Sequence, residues 1–162
     1  MSFRKRLRHE PGEGAYFDGD IRYMMIRPDA LMSLFARLSP DGRAEALAAF
    51  GQSITEHGRH SASTYGAPRG DRALLTVIEA TAADLGWGIW RFEDREPGLA
   101  LSVRKSPFAS HAQFSEKACH AIVGMCEAVG GLVLDVPCTA REVSCIAADG
   151  GEICSFLIEP TP

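Results

Sequence analysis

Two pairs of apolar stretches in the second half of the chain are joined by turns too short for a crossover. Trp87 to Phe92 leads through the turn-like Asp94 to Gly98 into Leu99 to Val103, and Glu142 to Ala147 leads through Asp149-Gly150-Gly151 into Ile153 to Ile158. A parallel pairing needs a connection of about a dozen residues or more, so strands joined this tightly pair antiparallel. That excludes a doubly wound parallel sheet. Leu132 to Val136 reads as one more strand, which makes about five in all.

The rest of the chain reads as helix. Pro28 suits a first helical turn, Asp29 favours the dipole there, and Leu31, Leu34, Phe35 and Leu38 follow at helical spacing until Pro40. A second helix runs from Asp41 to about Tyr65, with Leu47, Phe50 and Ile54 on one stripe. Gly51 and Gly58 interrupt it at a cost of about 1 kcal/mol each. Close approach of a backbone or a ligand would explain them, and so would a helix break. Asp71 caps a third helix that Gly86 ends. Ser115 opens a fourth, with Cys119, Ile122, Cys126 and Val129 on one face and Gly130-Gly131 as its stop. Helices, two strands, a helix and three strands predict an α+β fold, an antiparallel sheet with helices packed on it. Residues 1–20, polar with turn signals at Pro11-Gly12 and Asp18-Gly19, read as a flexible N-terminal segment, and 21–162 as a single domain.

A net charge of −4 speaks against a nucleic-acid partner, which needs a basic face; the one basic cluster is Arg4, Lys5, Arg6 and Arg8. No apolar run approaches the roughly 18 residues of a membrane span, and none follows the basic start as a signal peptide requires. The expected location is cytoplasmic. Thiols stay reduced there, so the five cysteines point to metal ligation or plain burial before disulfides.

Four of the chain's potential ligands converge on this scheme. Glu142 and Cys145 stand three apart on one strand, Cys154 begins the next across the glycine turn, and Cys119 lies in the first turn of a helix that must pack on the sheet. Three thiolates and a carboxylate suit four-coordinate zinc. The spacing is not a paired C-x-x-C knuckle, and buried free thiols are the other reading. Cys138, after Pro137, is a rival to Glu142 as ligand, whereas Cys126 reads as core. Four protein donors leave no position for a reactive water, so the site reads as structural, with no catalytic residue assigned. Thiolate ligation would make affinity depend on pH.

The segment Glu142-x-x-Cys145 … Gly151-x-x-Cys154-x-Phe156, preceded by a helix bearing Cys119, resembles the V4R (vinyl-4-reductase) domain. The Gly51 … Gly58 helix and the Ile21 to Leu38 entry are similar to the start of that family. The resemblance runs from about Ile21 onward, with its specific motif in the last forty or so residues. In the zinc-bearing relatives, the sensor domains of aromatic-responsive activators, the ligands match Cys119, Glu142, Cys145 and Cys154. The loop before Cys154 is one residue longer here. The resemblance implies a fold like that of vesicle-tethering subunits and a structural zinc. It also implies a homodimer and a small hydrophobic ligand, either an aromatic or hydrocarbon molecule or a chlorophyll-type tetrapyrrole, as in the accessory protein of bacteriochlorophyll synthesis.

A pocket for such a ligand is expected among Tyr23, Phe35, Phe50, Tyr65, Trp90 and Phe92, with Met24 as a further wall residue and His57 and His60 as polar groups. Alternation along the strand puts Trp87, Ile89 and Arg91 on one face and Gly88, Trp90 and Phe92 on the other. No nucleophile elbow, phosphate loop or dinucleotide fingerprint is present, and nothing in the sequence would hold a hydride-carrying cofactor. With no ATPase or DNA-binding segment in these residues, an accessory or carrier role is expected. A thiol- or metal-dependent enzyme subunit, such as part of a tetrapyrrole vinyl reductase, and a protein-interaction scaffold are the alternatives.

Overall fold

A computed structural model describes residues 2–63 and 70–162. A helical turn α1 (Phe3–Arg6) precedes a small antiparallel sheet of β1 (Arg8–Glu10), β2 (Ala15–Asp18) and β3 (Ile21–Tyr23). Three helices follow: α2 (Pro28–Ala36), α3 (Pro40–Ser63) and α4 (Ala73–Asp84). Then come β4 (Ile89–Arg95), β5 (Gly98–Arg104), the short α5 (Pro107–Ser110) and α6 (His120–Val133), and finally β6 (Cys138–Ser144), α7 (Ile146–Asp149) and β7 (Ile153–Pro160). The four long strands form a second antiparallel sheet in the order β4-β5-β7-β6. The α+β class and the antiparallel pairing are those the short connections dictate.

Alternate residues of the two central strands are buried, Leu99, Leu101 and Val103 of β5 and Cys154, Phe156 and Ile158 of β7, and Trp90 of β4 joins them. Against this face lies α6, whose Ile122, Cys126, Val129 and Val133 are likewise buried. α3 crosses α6 so closely that side chains have no room. A Cβ on Gly51 would stand 2.8 Å from the His120 carbonyl oxygen, and one on Gly124 would strike the Gly51 carbonyl. The interruption of α3 at Gly51 is therefore close approach of another backbone, and the helix passes through it unbroken.

The large sheet has four strands, not five. Leu132 and Val133 still belong to α6, and the chain turns only at Asp135, which adopts a φ of 54°. Gly130-Gly131 does not stop the helix. A Cβ on Gly130 would lie 2.5 Å from Ile158 Cγ2, so this glycine lets α6 sit down on β7. Pro40 begins α3, immediately after α2 has ended. Residues 1–20, expected as a flexible segment, hold α1, β1 and β2. Phe3 is buried there with its ring edge-on to Tyr23, and Arg6 pairs with Asp18 at 3.0 Å. Among the described residues no helix is long and apolar enough to cross a membrane.

Candidate metal centre

Cys119, Glu142, Cys145 and Cys154 are all buried, the three cysteines with no exposed surface at all. Each offers one ligand atom, and these atoms lie within 4.8 Å of one another. Three elements deliver them. Cys119 stands at the N-terminal cap of α6, Glu142 near the end of β6, Cys145 between β6 and α7, and Cys154 at the start of β7.

The local backbone of β6 explains the convergence. In a regular strand, residues three apart point to opposite faces. Here Glu142 pairs with Phe156 while Ser144 pairs with Ser155, so Val143 is an extra residue bulged out of the ladder. The bulge turns Cys145 to the same side as Glu142 and leaves Val143 exposed. α7 then carries the chain over to β7, and Gly150 and Gly151, with φ of 76° and 85°, close the turn.

The sulfurs are arranged as thiolate acceptors. Cys145 Sγ receives the Ala118 N–H at 3.5 Å, and Cys154 Sγ receives the Ile146 N–H at 3.4 Å. Cys119 Sγ lies 3.7 Å from Cys154 Sγ and 3.2 Å from the buried Ser106 hydroxyl. Hydrogen bonds from Cys119 and Cys154 hold Cys145 well below the ordinary thiol range. Cys119, bonded to Cys145 and Cys154 and buried, is pushed far above it. Burial, with Cys145 beside it, raises the Glu142 carboxyl to about 8.

Glu142 also tests whether these residues fit a metal. Its Oε2 accepts the Cys119 N–H at 3.2 Å, while its Oε1 is buried with no hydrogen-bond partner among the described residues. An orphaned carboxylate oxygen beside three sulfurs is costly unless a cation completes it. The donor set fits zinc in its chemistry: three soft sulfurs and one oxygen, clustered within 4.8 Å of one another. The cluster could hold a metal ion through these four residues. When bound there, zinc would supply a cross-link between α6, β6 and β7.

Cys138 is not part of the cluster. It sits at the far end of β6, opposite Pro160, with its S–H toward the Val136 carbonyl at 3.4 Å, so it does not replace Glu142. Cys126 is buried in the core of α6.

Of the expected pocket residues, Phe35, Phe50, Trp90 and Phe92 fall into one run of rings. Its centroids step from Phe35 to Phe50 at 5.9 Å, to Phe108 at 6.3 Å, to Trp87 at 5.2 Å, to Trp90 at 6.4 Å and to Phe92 at 6.0 Å. Tyr23 lies instead on β3 against Phe3, and Met24 is 79% exposed. His57 and His60 are on the exposed side of α3. Tyr65 lies outside the described residues.

Sequence reasoning missed Trp87, Phe108 and Ser106. Strand alternation predicts Trp87 on the opposite face from Trp90, but β4 starts only at Ile89, and Gly88 (φ 95°) swings Trp87 back. The Trp90 indole N–H then donates to the Trp87 carbonyl at 2.9 Å. Ser106-Pro107 carried the signal for a short helix, a serine cap followed by proline at the first position. That helix, α5, holds Phe108 in the ring series.

No family model matches the sequence, and no curated protein matches it. Solved structures do. The crystal structure of the phenol-responsive sensory domain of the transcription activator PoxR, with phenol, matches 97% of this chain and 86% of its own, with a TM-score of 0.78 at 18% identity. A vinyl-4-reductase family protein from Methanocaldococcus jannaschii matches 86% of this chain and 98% of its own, with a TM-score of 0.56 at 11% identity. The chain has the fold of these two proteins, one from each of the groups the sequence resembles.

Proposed function

We propose that this chain is a binding module for a small aromatic molecule, held together by one structural zinc ion on Cys119, Glu142, Cys145 and Cys154. The observation that carries the reading is the pairing of two built features. A buried set of four metal donors stands next to α5, and α5 contributes to a continuous run of aromatic rings. Aromatic rings in edge-to-face contact favour a further aromatic guest through the same geometry. The fold shared with a phenol-responsive domain supports the ligand class. The four-donor set supports a structural role for the metal.

On this reading the protein acts as an accessory or carrier in the cytoplasm, as a homodimer, with ligand chemistry confined to binding. Native mass spectrometry of protein purified without chelator should find one zinc per chain and a two-chain assembly. Phenol added to that protein should quench its tryptophan emission saturably, because Trp87 and Trp90, the chain's two tryptophans, both stand in the ring series. Absence of metal would sink the zinc assignment, and emission indifferent to phenol and its alkyl derivatives would sink the aromatic one. A co-purified tetrapyrrole, visible by its absorption, would transfer the ligand assignment to the pigment class.

A further inference from the structure

We propose that the methionine-rich stretch following β3 is the face on which two copies of this chain meet, running antiparallel about a two-fold axis at Met24. This surface locates the homodimer of the reading above and rests on it.

Large apolar side chains that stay in water are concentrated here. Among the described residues ten are exposed, and five of them, Met24, Met25, Ile26, Leu34 and Leu38, fall within fifteen residues of sequence. The other five are spread over α4, β4, β6, β7 and the turn before β6. Exposed apolar residues standing singly are ordinary, whereas a cluster of them marks a surface that a partner covers.

The backbone beneath these side chains is equally bare. β3 is an edge strand, paired with β2 on one side only. From Tyr23 the chain runs on to Arg27 without turn or bend. Met24, Met25 and Ile26 use no backbone N–H or C=O in a hydrogen bond among the described residues. An edge of this kind is a template for one more strand, and proteins that need to keep it free protect it with charge or proline. Met24, Met25 and Ile26 carry neither.

Charge selects a second copy as that strand. Arg22 precedes the apolar triplet and Arg27 follows it. In the antiparallel register centred on Met24, Tyr23 stands opposite Met25 of the second copy, Arg22 opposite Ile26, and Ile21 opposite Arg27. Both arginines then lay their aliphatic stems on isoleucines, and no two like charges face each other. Asp20, in the turn before β3, comes beside Arg27 of the second copy, whose own pair with Asp29 is exposed. A shift by one residue would set Arg22 against Arg27, and like charges directly opposite are destabilising.

The test is the oligomeric state of the full chain, as purified, by analytical ultracentrifugation over a range of concentrations. Wild type should be a dimer. On the axis, residue 24 faces its own copy, so M24K sets lysine against lysine and should weaken the dimer about a hundredfold, as should M24E. Mixing the two variants should restore a dimer with one chain of each, because lysine then faces glutamate. Met24 is 79% exposed, so neither change disturbs packing within the folded chain. V136K, the same change at an exposed apolar residue elsewhere, should leave the dimer intact. A dimer that survives both Met24 changes overturns this surface while leaving the homodimer standing. A mixture of M24K and M24E that stays monomeric overturns the pairing about Met24. A wild-type chain that is monomeric at all concentrations overturns both the surface and the homodimer.

Discussion

Glu142 concentrates the chemistry of this protein in one side chain. Its carboxyl is buried, raised to about 8, and has one oxygen without a partner among the described residues. Below that pH a metal must displace its proton as well as those of the thiols, so metal affinity should fall as pH drops below about 8. Competition titrations against a chelator of known affinity at several pH values check the sign. E142Q, which has no carboxyl proton to displace, should flatten part of the dependence. Among the thiols the expectation divides sharply. C145S should lose the metal and on the order of 5 kcal/mol of stability, whereas C138S should keep the metal and change stability by about 1 kcal/mol or less. Denaturant melts with metal analysis of each variant read both. The convergence of the three cysteines was legible in the sequence because a hairpin and a packed helix bring their elements together. Which of Glu142 and Cys138 stands beside them was not legible, since it depends on which end of β6 lies against the start of α6.

At the scale of elements, the α3–α6 crossing sets the geometry into which Cys119 is delivered. At Gly124 a methyl group would strike the backbone of Gly51 and come within 3.1 Å of Thr55 N, and neither can yield. G124A should therefore cost about 3 kcal/mol or more. A methyl on Gly58 meets only the end of the Met125 side chain, at 3.0 Å, which can swing away. G58A should be neutral, or stabilising by up to about 1 kcal/mol through helix propensity. Thermal melts of the two variants test the contrast. Helix starts at Pro28 and after Asp71 were readable because local chemistry fixes them. Gly130-Gly131 misled because a glycine that admits a neighbouring strand looks, in sequence, like one that ends a helix. Trp87 misled because a single left-handed residue at Gly88 resets strand parity.

For the whole molecule, the metal would join parts of the fold that no short connection joins. Cys119 and Cys154 are 35 residues apart, and the elements carrying them meet only through the core. Stripping the metal should raise amide hydrogen exchange at the start of α6, the end of β6, α7 and the start of β7. The middle of the α3–α6 pair, whose contacts are backbone on backbone, should remain protected. Uniform deprotection on metal removal would show instead that the ion holds up the entire fold. The α+β class was legible because turn lengths constrain strand direction. The small N-terminal sheet was not, because its strands are three or four residues long and mostly half-exposed, which leaves little hydrophobic pattern to read.

The bulge at Val143 gives that residue an unusual status, for it lets Glu142 and Cys145 stand three apart in sequence and still share a face, while its own side chain touches none of this. Being 44% exposed and outside the ladder, it should accept Ala, Thr or Lys with metal stoichiometry unchanged. Excising it would set Glu142 and Cys145 two apart in a regular strand, which also points them to one face, so the deletion should keep the metal as well. A metal assay on the deletion beside the three substitutions would show whether the shared face of the two donors, and not the number of letters between them, is what the cluster requires.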